Sequence, residues 1–266
     1  MEHLTNAEDL LRETKEHATD AIEPATLSDP HKSWARLTEA SLDPVTLKRN
    51  NILTTLSDSR SAPFDRLRTR MLNHMRAAGH RRVAITSPIS GCGSSTITAN
   101  LALSIARQND LRVMVMDLNL RSPNLIHLFG LQEEGPRFSV VTGHKRNFDS
   151  TCLRLGHNLG LSLNATPMDD AAERLSNAKT ANLLDHIEQE FAPDIILLDL
   201  AALHPMDDAI AGLSLTDCAL LVARADHCTL TQIDTAERLI AENTTCLGVI
   251  VNGCRFSQTA KHHANG

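Results

Sequence analysis

Residues 82–96 read Arg82-Val83-Ala84-Ile85-Thr86-Ser87-Pro88-Ile89-Ser90-Gly91-Cys92-Gly93-Ser94-Ser95-Thr96, and their reading decides the fold. An apolar run, Val83-Ala84-Ile85, leads into a turn with two glycines, and a helical pattern starts near Ile97. Strand, glycine turn and helix together form the layout of a phosphate-binding loop. In such a loop the backbone N–H groups and the positive end of the helix cradle anionic oxygens. The usual pattern is G-x-x-x-x-G-K-[ST]. Here Ser94 stands at the lysine position and Pro88 at the first glycine position.

Beyond the loop, a helix is expected over 95–108, with Leu101, Ile105 and Ala106 toward a sheet. Apolar runs at 113–116, 195–198, 219–223 and 247–251 end at Asp117, Asp199, Arg224 and Asn252. Helical patterns at 182–191 and 230–242 lie between them, and residues 124–180 are less regular, with a short strand at 161–163. Short continuous apolar runs alternating with helices predict an α/β fold with a doubly wound, mostly parallel sheet covered on both faces. Ligands in such sheets bind at the carboxyl ends of the strands, so Ser87, Asp117, Asp199, Arg224 and Asn252 share one site.

Toward the N-terminus, Phe64, Leu67, Met71, Leu72 and Met75 repeat at helical spacing over 63–78, and Gly79 closes that helix. Residues 1–60 are polar and broken by Pro24, Pro30 and Pro44, and they read as a mostly mobile extension with short helical pieces, one at 8–17. Trp34 and Leu37 either dock as a small anchor or belong to an exposed linker. The expected division is an extension over 1–60, a phosphate-loop domain over 61–256 and a tail over 257–266.

A chain of 266 residues with 42% hydrophobic content can bury a full core. The net charge of −6, without a run of five like charges, does not suggest nucleic acid as a partner. No apolar stretch reaches the ~18 residues of a membrane span. The start lacks the basic and apolar segments of a signal peptide, so a cytoplasmic location is expected. The six cysteines form no C-x-x-C pair, and the thirteen histidines show no zinc spacing. Cys218, Cys246 and Cys254 read as buried reduced thiols. Cys92, at a helix N-terminus, is a candidate reactive thiol. Tyrosine is absent.

Asp117 and Asp199, each closing an apolar strand beside the loop, are the carboxylates that would organise Mg²⁺, with the Ser95 hydroxyl as a further ligand. A single aspartate at a strand end also serves as a helix cap.

Four segments carry a family resemblance. Residues 85–102 are similar to I-T-S-x-x-P-G-x-G-K-S-T followed by N-L-A. Asp117-Leu118-Asn119-Leu120-Arg121-Ser122-Pro123, continuing into His127-Leu128-Phe129-Gly130-Leu131, is similar to D-A-D-L-R-R-P. Ile196-Leu197-Leu198-Asp199-Leu200-Ala201-Ala202, with Asp208-Ala209 beyond, is similar to I-I-D-T-P-P. Leu247-Gly248-Val249-Ile250-Val251-Asn252-Gly253 is similar to L-G-V-V-L-N-G. Over about 62–255 the chain resembles the bacterial tyrosine kinase and capsular exopolysaccharide family, in a superfamily that includes partition and septum-placement ATPases. The resemblance implies a cytoplasmic domain that binds ATP or ADP with Mg²⁺ and regulates exopolysaccharide or capsule production and export. It implies an inner-membrane chain-length (co-polymerase) partner that recruits the domain to the membrane face, and a homo-oligomer. By the same resemblance, Gly91, Cys92, Gly93, Ser94, Ser95, Thr96 and Asn252 bind the nucleotide, Asp117 and Asp199 are catalytic, and Ser95, Asp117 and Asp199 hold the metal.

The departures fall on the chemistry. Lysine is Ser94, the second aspartate of the second motif is Asn119, and D-T-P-P is Asp199-Leu200-Ala201-Ala202. The family's oligomerisation motif E-x-x-R-x-x-R falls on Ala62, Asp65 and Arg68, and no tyrosine is present for a phosphorylated tail. Losing one cation that stabilises the transferring phosphoryl group costs a factor of ~10²–10³ in rate. An in-chain substitute is expected to be an arginine such as Arg121, or Lys145 from a mobile segment. Three readings follow. The first is a degenerate kinase-like regulator that retains its nucleotide site. The second is an active kinase or ATPase with outside substrates and a replacement cation. The third is an interaction module that binds no nucleotide.

Overall fold

The computed structural model describes residues 29–54, 60–131, 145–205 and 207–254, with the side chains of 145–147 outside that description. The expected helix at 8–17 and the tail at 257–266 lie outside the described residues.

The chain begins with α1 (Pro30–Arg36), β1 (Thr38–Glu39) and α2 (Pro44–Arg49). The long helix α3 (Ala62–Ala78) leads to β2 (Arg82–Thr86), the glycine loop, α4 (Ser94–Ala106) and β3 (Val113–Asp117). Next come α5 (Leu125–Leu128), α6 (Lys145–Thr151), β4 (Leu153–Leu155), β5 (Leu159–Ser162), α7 (Ala171–Leu175) and α8 (Ala178–Phe191). The chain ends with β6 (Ile195–Asp199), α9 (Asp208–Leu213), β7 (Cys218–Arg224), α10 (Leu230–Asn243) and β8 (Thr245–Asn252). The strands form one sheet in the order β1-β4-β5-β3-β6-β2-β7-β8, parallel throughout except between β4 and β5. None of the described helices is long and apolar enough to cross a membrane.

Alternation along the central strands divides the core in two. Ala84, Met114, Met116, Ile196, Leu198, Ala219 and Leu221 face one layer, with α8, α9 and α10. Val83, Ile85, Val113, Val115, Ile195, Leu197, Leu220 and Val222 face the other, with α3 and α4. Both faces are covered, which is why these strands read as unbroken apolar runs. Strand β2 pairs with β6 on one side and β7 on the other. Strand β3 lies beyond β6, with Asp117 in register with Asp199. This arrangement brings the loop and both aspartates to one end of the sheet.

Within the stretch expected as an extension with short helical pieces, residues 29–54 form two short helices and a strand that pack on the sheet domain. Pro30 and Pro44 open helices instead of interrupting them: each follows an aspartate that caps it, Asp29 accepting the amide of His31 and Asp43 the amides of Val45 and Thr46. Trp34 is 3% exposed, its indole N–H donates to the Phe191 carbonyl at 2.7 Å, and its ring meets Phe191 edge-on. Strand β1 joins the sheet beside β4. On the other face, Leu47 and Ile52 are buried. Asn100 fastens this segment to α4: its Oδ1 accepts the Leu53 amide at 2.7 Å, and its Nδ2 donates to the Asn51 and Thr96 carbonyls.

Removing a fully packed aromatic side chain costs ~3–5 kcal/mol. Trp34→Ala is therefore expected to lower stability by about that amount in urea unfolding followed by circular dichroism. A loss under about 1 kcal/mol would mean that the segment is not integral to the fold.

Candidate functional site

The loop between β2 and α4 takes its shape from two glycines with positive φ, Gly91 (+82°) and Gly93 (+89°). A Cβ on Gly93 would lie 2.5 Å from Asn252 Nδ2, so glycine is required there for space as well as for conformation. Three side chains from the far edge of the sheet hold the loop by its carbonyls. His227 Nε2 lies 3.0 Å from the Ser90 carbonyl and donates to it, Arg224 donates to the Gly91 carbonyl at 3.1 Å, and Asn252 donates to the Cys92 carbonyl at 2.9 Å. On the stem, the amides of Leu203 and His204 donate to the carbonyls of Ser87 and Pro88.

Helix α4 starts directly at Gly93, and no side chain caps it. Its first internal bond runs from the Ile97 amide to the Gly93 carbonyl, so the amides of Ser94, Ser95 and Thr96 have no intrahelical acceptor. They open on a cavity of about 370 Å³ lined by Ser87, Ser90, Gly91, Gly93, Ser94, Ser95 and Thr96 on one side, and by Asn119, Arg121, His204 and Asp208 on the other. Uncapped amides, the helix dipole and the hydroxyls together suit a phosphate group.

Asp199 is fully buried behind this cradle. Its Oδ1 accepts the Thr98 hydroxyl at 2.9 Å, while its Oδ2 is buried and makes no hydrogen bond of ordinary geometry. Burial pushes its pKa up to about 7, against the opposing pull of the Ser95 and Thr98 hydroxyls. An unsatisfied carboxylate oxygen beside the Ser95 hydroxyl is a hard donor set suited to Mg²⁺. Asp117 is also buried, and burial followed by the neighbouring Asp199 raises its pKa well above the usual carboxylate range. Both Asp117 oxygens are engaged: Oδ1 accepts the Asn119 amide, and Oδ2 accepts the amides of Asn124 and Leu125. In this arrangement Asp117 organises the loop after β3. Neither aspartate lines the cavity itself.

The other expected site residues divide. Gly91, Gly93, Ser94, Ser95 and Thr96 line the cavity, whereas Cys92 and Asn252 do not. The Cys92 thiol is 1% exposed, with its Sγ 3.2 Å from that of Cys228. Burial and then the neighbouring thiol push its pKa up to about 11. This runs against the expectation of a thiol activated by the helix, because burial beside a second thiol outweighs the helix end. Of the cysteines expected to be buried, Cys218 is buried, Cys246 is half-buried and Cys254 is exposed. Arg121 reaches the cavity, but Asp208, itself buried, grips it with two bonds of 2.7 and 3.0 Å. The side chain of Lys145 lies outside the described residues. No group of three or more histidines, cysteines or acids suited to a metal occurs among the described residues. Sequence reasoning missed His227 and the bracing roles of Arg224, Thr98 and Asn100. Their partners are backbone carbonyls and a carboxylate distant along the chain, and no local pattern marks such contacts.

The buried carboxyls give a pH dependence whose sign can be worked out. With a folded-state pKa near 7 and an unfolded one near 3.9, Asp199 keeps in the folded state a proton that the unfolded chain releases between those values. The associated stability is complete below about pH 3.9 and is lost as pH rises through about 7. Asp199→Asn should therefore gain on the parent as pH rises, its advantage in chemical unfolding growing by about 2–3 kcal/mol between pH 5 and pH 8. An equal difference at both pH values would contradict a protonated Asp199.

No family model matches the chain. It is 29% identical over 189 residues to the putative tyrosine-protein kinase EpsB of Ralstonia solanacearum, covering 70% of this chain and 24% of that protein. It is 28% identical over 193 residues to the succinoglycan biosynthesis transport protein ExoP of Rhizobium meliloti, covering 68% of this chain and 23% of that protein. The chain thus spans about a quarter of the length of these relatives. In structure it superposes on the kinase domain of the Escherichia coli tyrosine kinase ETK with a TM-score of 0.67, at 17% identity, over 89% of this chain and 98% of that one. The septum site-determining protein MinD of Pyrococcus horikoshii, solved with Mg-ADP, gives a TM-score of 0.52 at 18% identity over 64% and 69% of the two chains. The sequence is thus similar to those of bacterial tyrosine-protein kinases, and the fold is the one shared by the ETK kinase domain and MinD.

Proposed function

We propose that this chain is a kinase-like regulator in exopolysaccharide or capsule production that binds ATP or ADP with Mg²⁺ at the β2–α4 loop and is impaired in phosphoryl transfer. One observation carries the reading. The cavity has uncapped amides at the start of α4, but among the described residues its lining contains no lysine, and its arginine, Arg121, is paired to Asp208. Bound Mg²⁺ would neutralise charge on the phosphate oxygens. The Ser95 hydroxyl and the free Asp199 oxygen would hold it, with Asp117 positioning the adjoining loop. Ser94 offers only a hydroxyl where a cation would meet the charge that builds up on the transferring group.

The partner in this reading is an inner-membrane chain-length protein that recruits the domain to the membrane face. The names of the relatives support that setting, since one is a succinoglycan biosynthesis transport protein. A homo-oligomer also belongs to the reading, but not through the usual motif positions. Asp65 accepts the Ser104 hydroxyl at 2.7 Å, and Arg68 donates to the Ser104 carbonyl at 2.8 Å, so both bind this chain's own α4.

Restoring the cation tests the reading. Ser94→Lys should raise Mg²⁺-dependent ATP hydrolysis by ~10²-fold over the parent, with Asp199→Ala in the same background removing the gain. A parent already turning over at the ~1–100 s⁻¹ of ordinary kinases, unaffected by Asp199→Ala, would overturn it. In the active-kinase reading Arg121 supplies the charge, so breaking its pair with Asp208→Asn would raise parent turnover without Ser94→Lys.

A further inference from the structure

Cys92 sits at the centre of the phosphate loop, and Cys228 sits in the turn between β7 and α10, 136 positions along the chain. Their sulfurs are 3.2 Å apart. A disulfide bond is about 2.05 Å long, so the two sulfurs need to approach by little more than 1 Å. The flanking Gly91 and Gly93 supply the backbone freedom for that movement. The turn that carries Cys228 already grips the loop through His227 on Ser90, and Arg224 at the end of β7 does so on Gly91. Among the described residues, no other cysteine pair makes a sulfur–sulfur contact.

We propose that Cys92 and Cys228 are an oxidation site: a hydroperoxide converts them to a disulfide that fastens the phosphate loop to the β7–α10 turn, and a dithiol reductant reverses it. Cys228 is half-buried and Cys92 fully buried, so Cys228 meets the oxidant first. Its thiolate attacks a peroxide oxygen and becomes a sulfenic acid, with one oxygen leaving as water. The Cys92 sulfur then loses its proton and attacks the Cys228 sulfur, displacing hydroxide, which takes up that proton and leaves as a second water. In total, two thiols and one hydrogen peroxide give one disulfide and two waters. The sulfurs lose two electrons, and the peroxide gains them.

The site stands whether or not a nucleotide binds, so the test uses no nucleotide. The full chain in a Cys254→Ser background, which removes the exposed thiol, is treated with equimolar hydrogen peroxide, quenched and alkylated in denaturant. The expected result is a Cys92–Cys228 cross-linked peptide two hydrogens lighter than the sum of its parts, lost on dithiothreitol treatment and absent from Cys228→Ser. Amide exchange in peptides spanning 88–96 should slow at least about threefold in the oxidised protein and stay unchanged in peroxide-treated Cys228→Ser. Alkylation of both cysteines after peroxide, pairing of either with another cysteine, or a cross-link that leaves loop exchange unchanged would overturn the proposal.

Discussion

The site depends on how the carbonyls of Ser90, Gly91 and Cys92 are held. A glycine turn presents amides to an anion only if its carbonyls are committed elsewhere, because a free carbonyl turned toward the cavity would repel phosphate. Here His227, Arg224 and Asn252 take those three carbonyls, and all three come from the β7–β8 edge of the sheet. Strand β7 pairs directly with β2, so this bracing is part of the sheet's topology. The clash awaiting a Cβ on Gly93 is the steric cost of bringing Asn252 so close.

Behind the loop, two fully buried carboxyls sit on adjacent strands in register. Buried like charges raise each other's pKa, and a cation near them would lower it again. Asp117 has its oxygens filled by backbone amides, whereas Asp199 has one left over. Of the two, Asp199 is the one with bonding capacity for a metal, and Asp117 shapes the loop that carries Asn119 and Arg121. Arg121 illustrates the difference between proximity and availability. It reaches the cavity, yet Asp208 holds it bidentately, a geometry that commits a guanidinium strongly. In the proposed reading, the amides and hydroxyls of the loop serve binding, and neither Ser94 nor the engaged Arg121 supplies a free cation for transfer.

The central sheet was legible because β2, β3, β6 and β7 are buried on both faces and so read as apolar runs ending in polar residues, whereas the run of β8 belongs to an edge strand with Val249 and Val251 exposed. The loop was legible because positive φ needs glycine. Residues 29–54 are hard to read from sequence because a proline in a polar stretch signals a break as readily as a start, and here Pro30 and Pro44 each follow a capping aspartate and open a helix. Trp34 could not be assigned from sequence, since its acceptor, the Phe191 carbonyl, lies 157 positions away. His227 was invisible for the same reason, being 137 positions from the carbonyl it binds. The Cys92–Cys228 contact likewise joins residues 136 positions apart, and sequence shows only that both exist.

The measurement that bears most directly on a cradle kept for binding but stripped for transfer is a calorimetric titration of the protein with Mg–ATP, followed by assay of the recovered nucleotide. The account predicts saturable binding at one site per chain, weakened by Gly93→Ala, with ATP recovered intact over the time of the titration. Absence of binding, or recovery of the nucleotide as ADP, would contradict it.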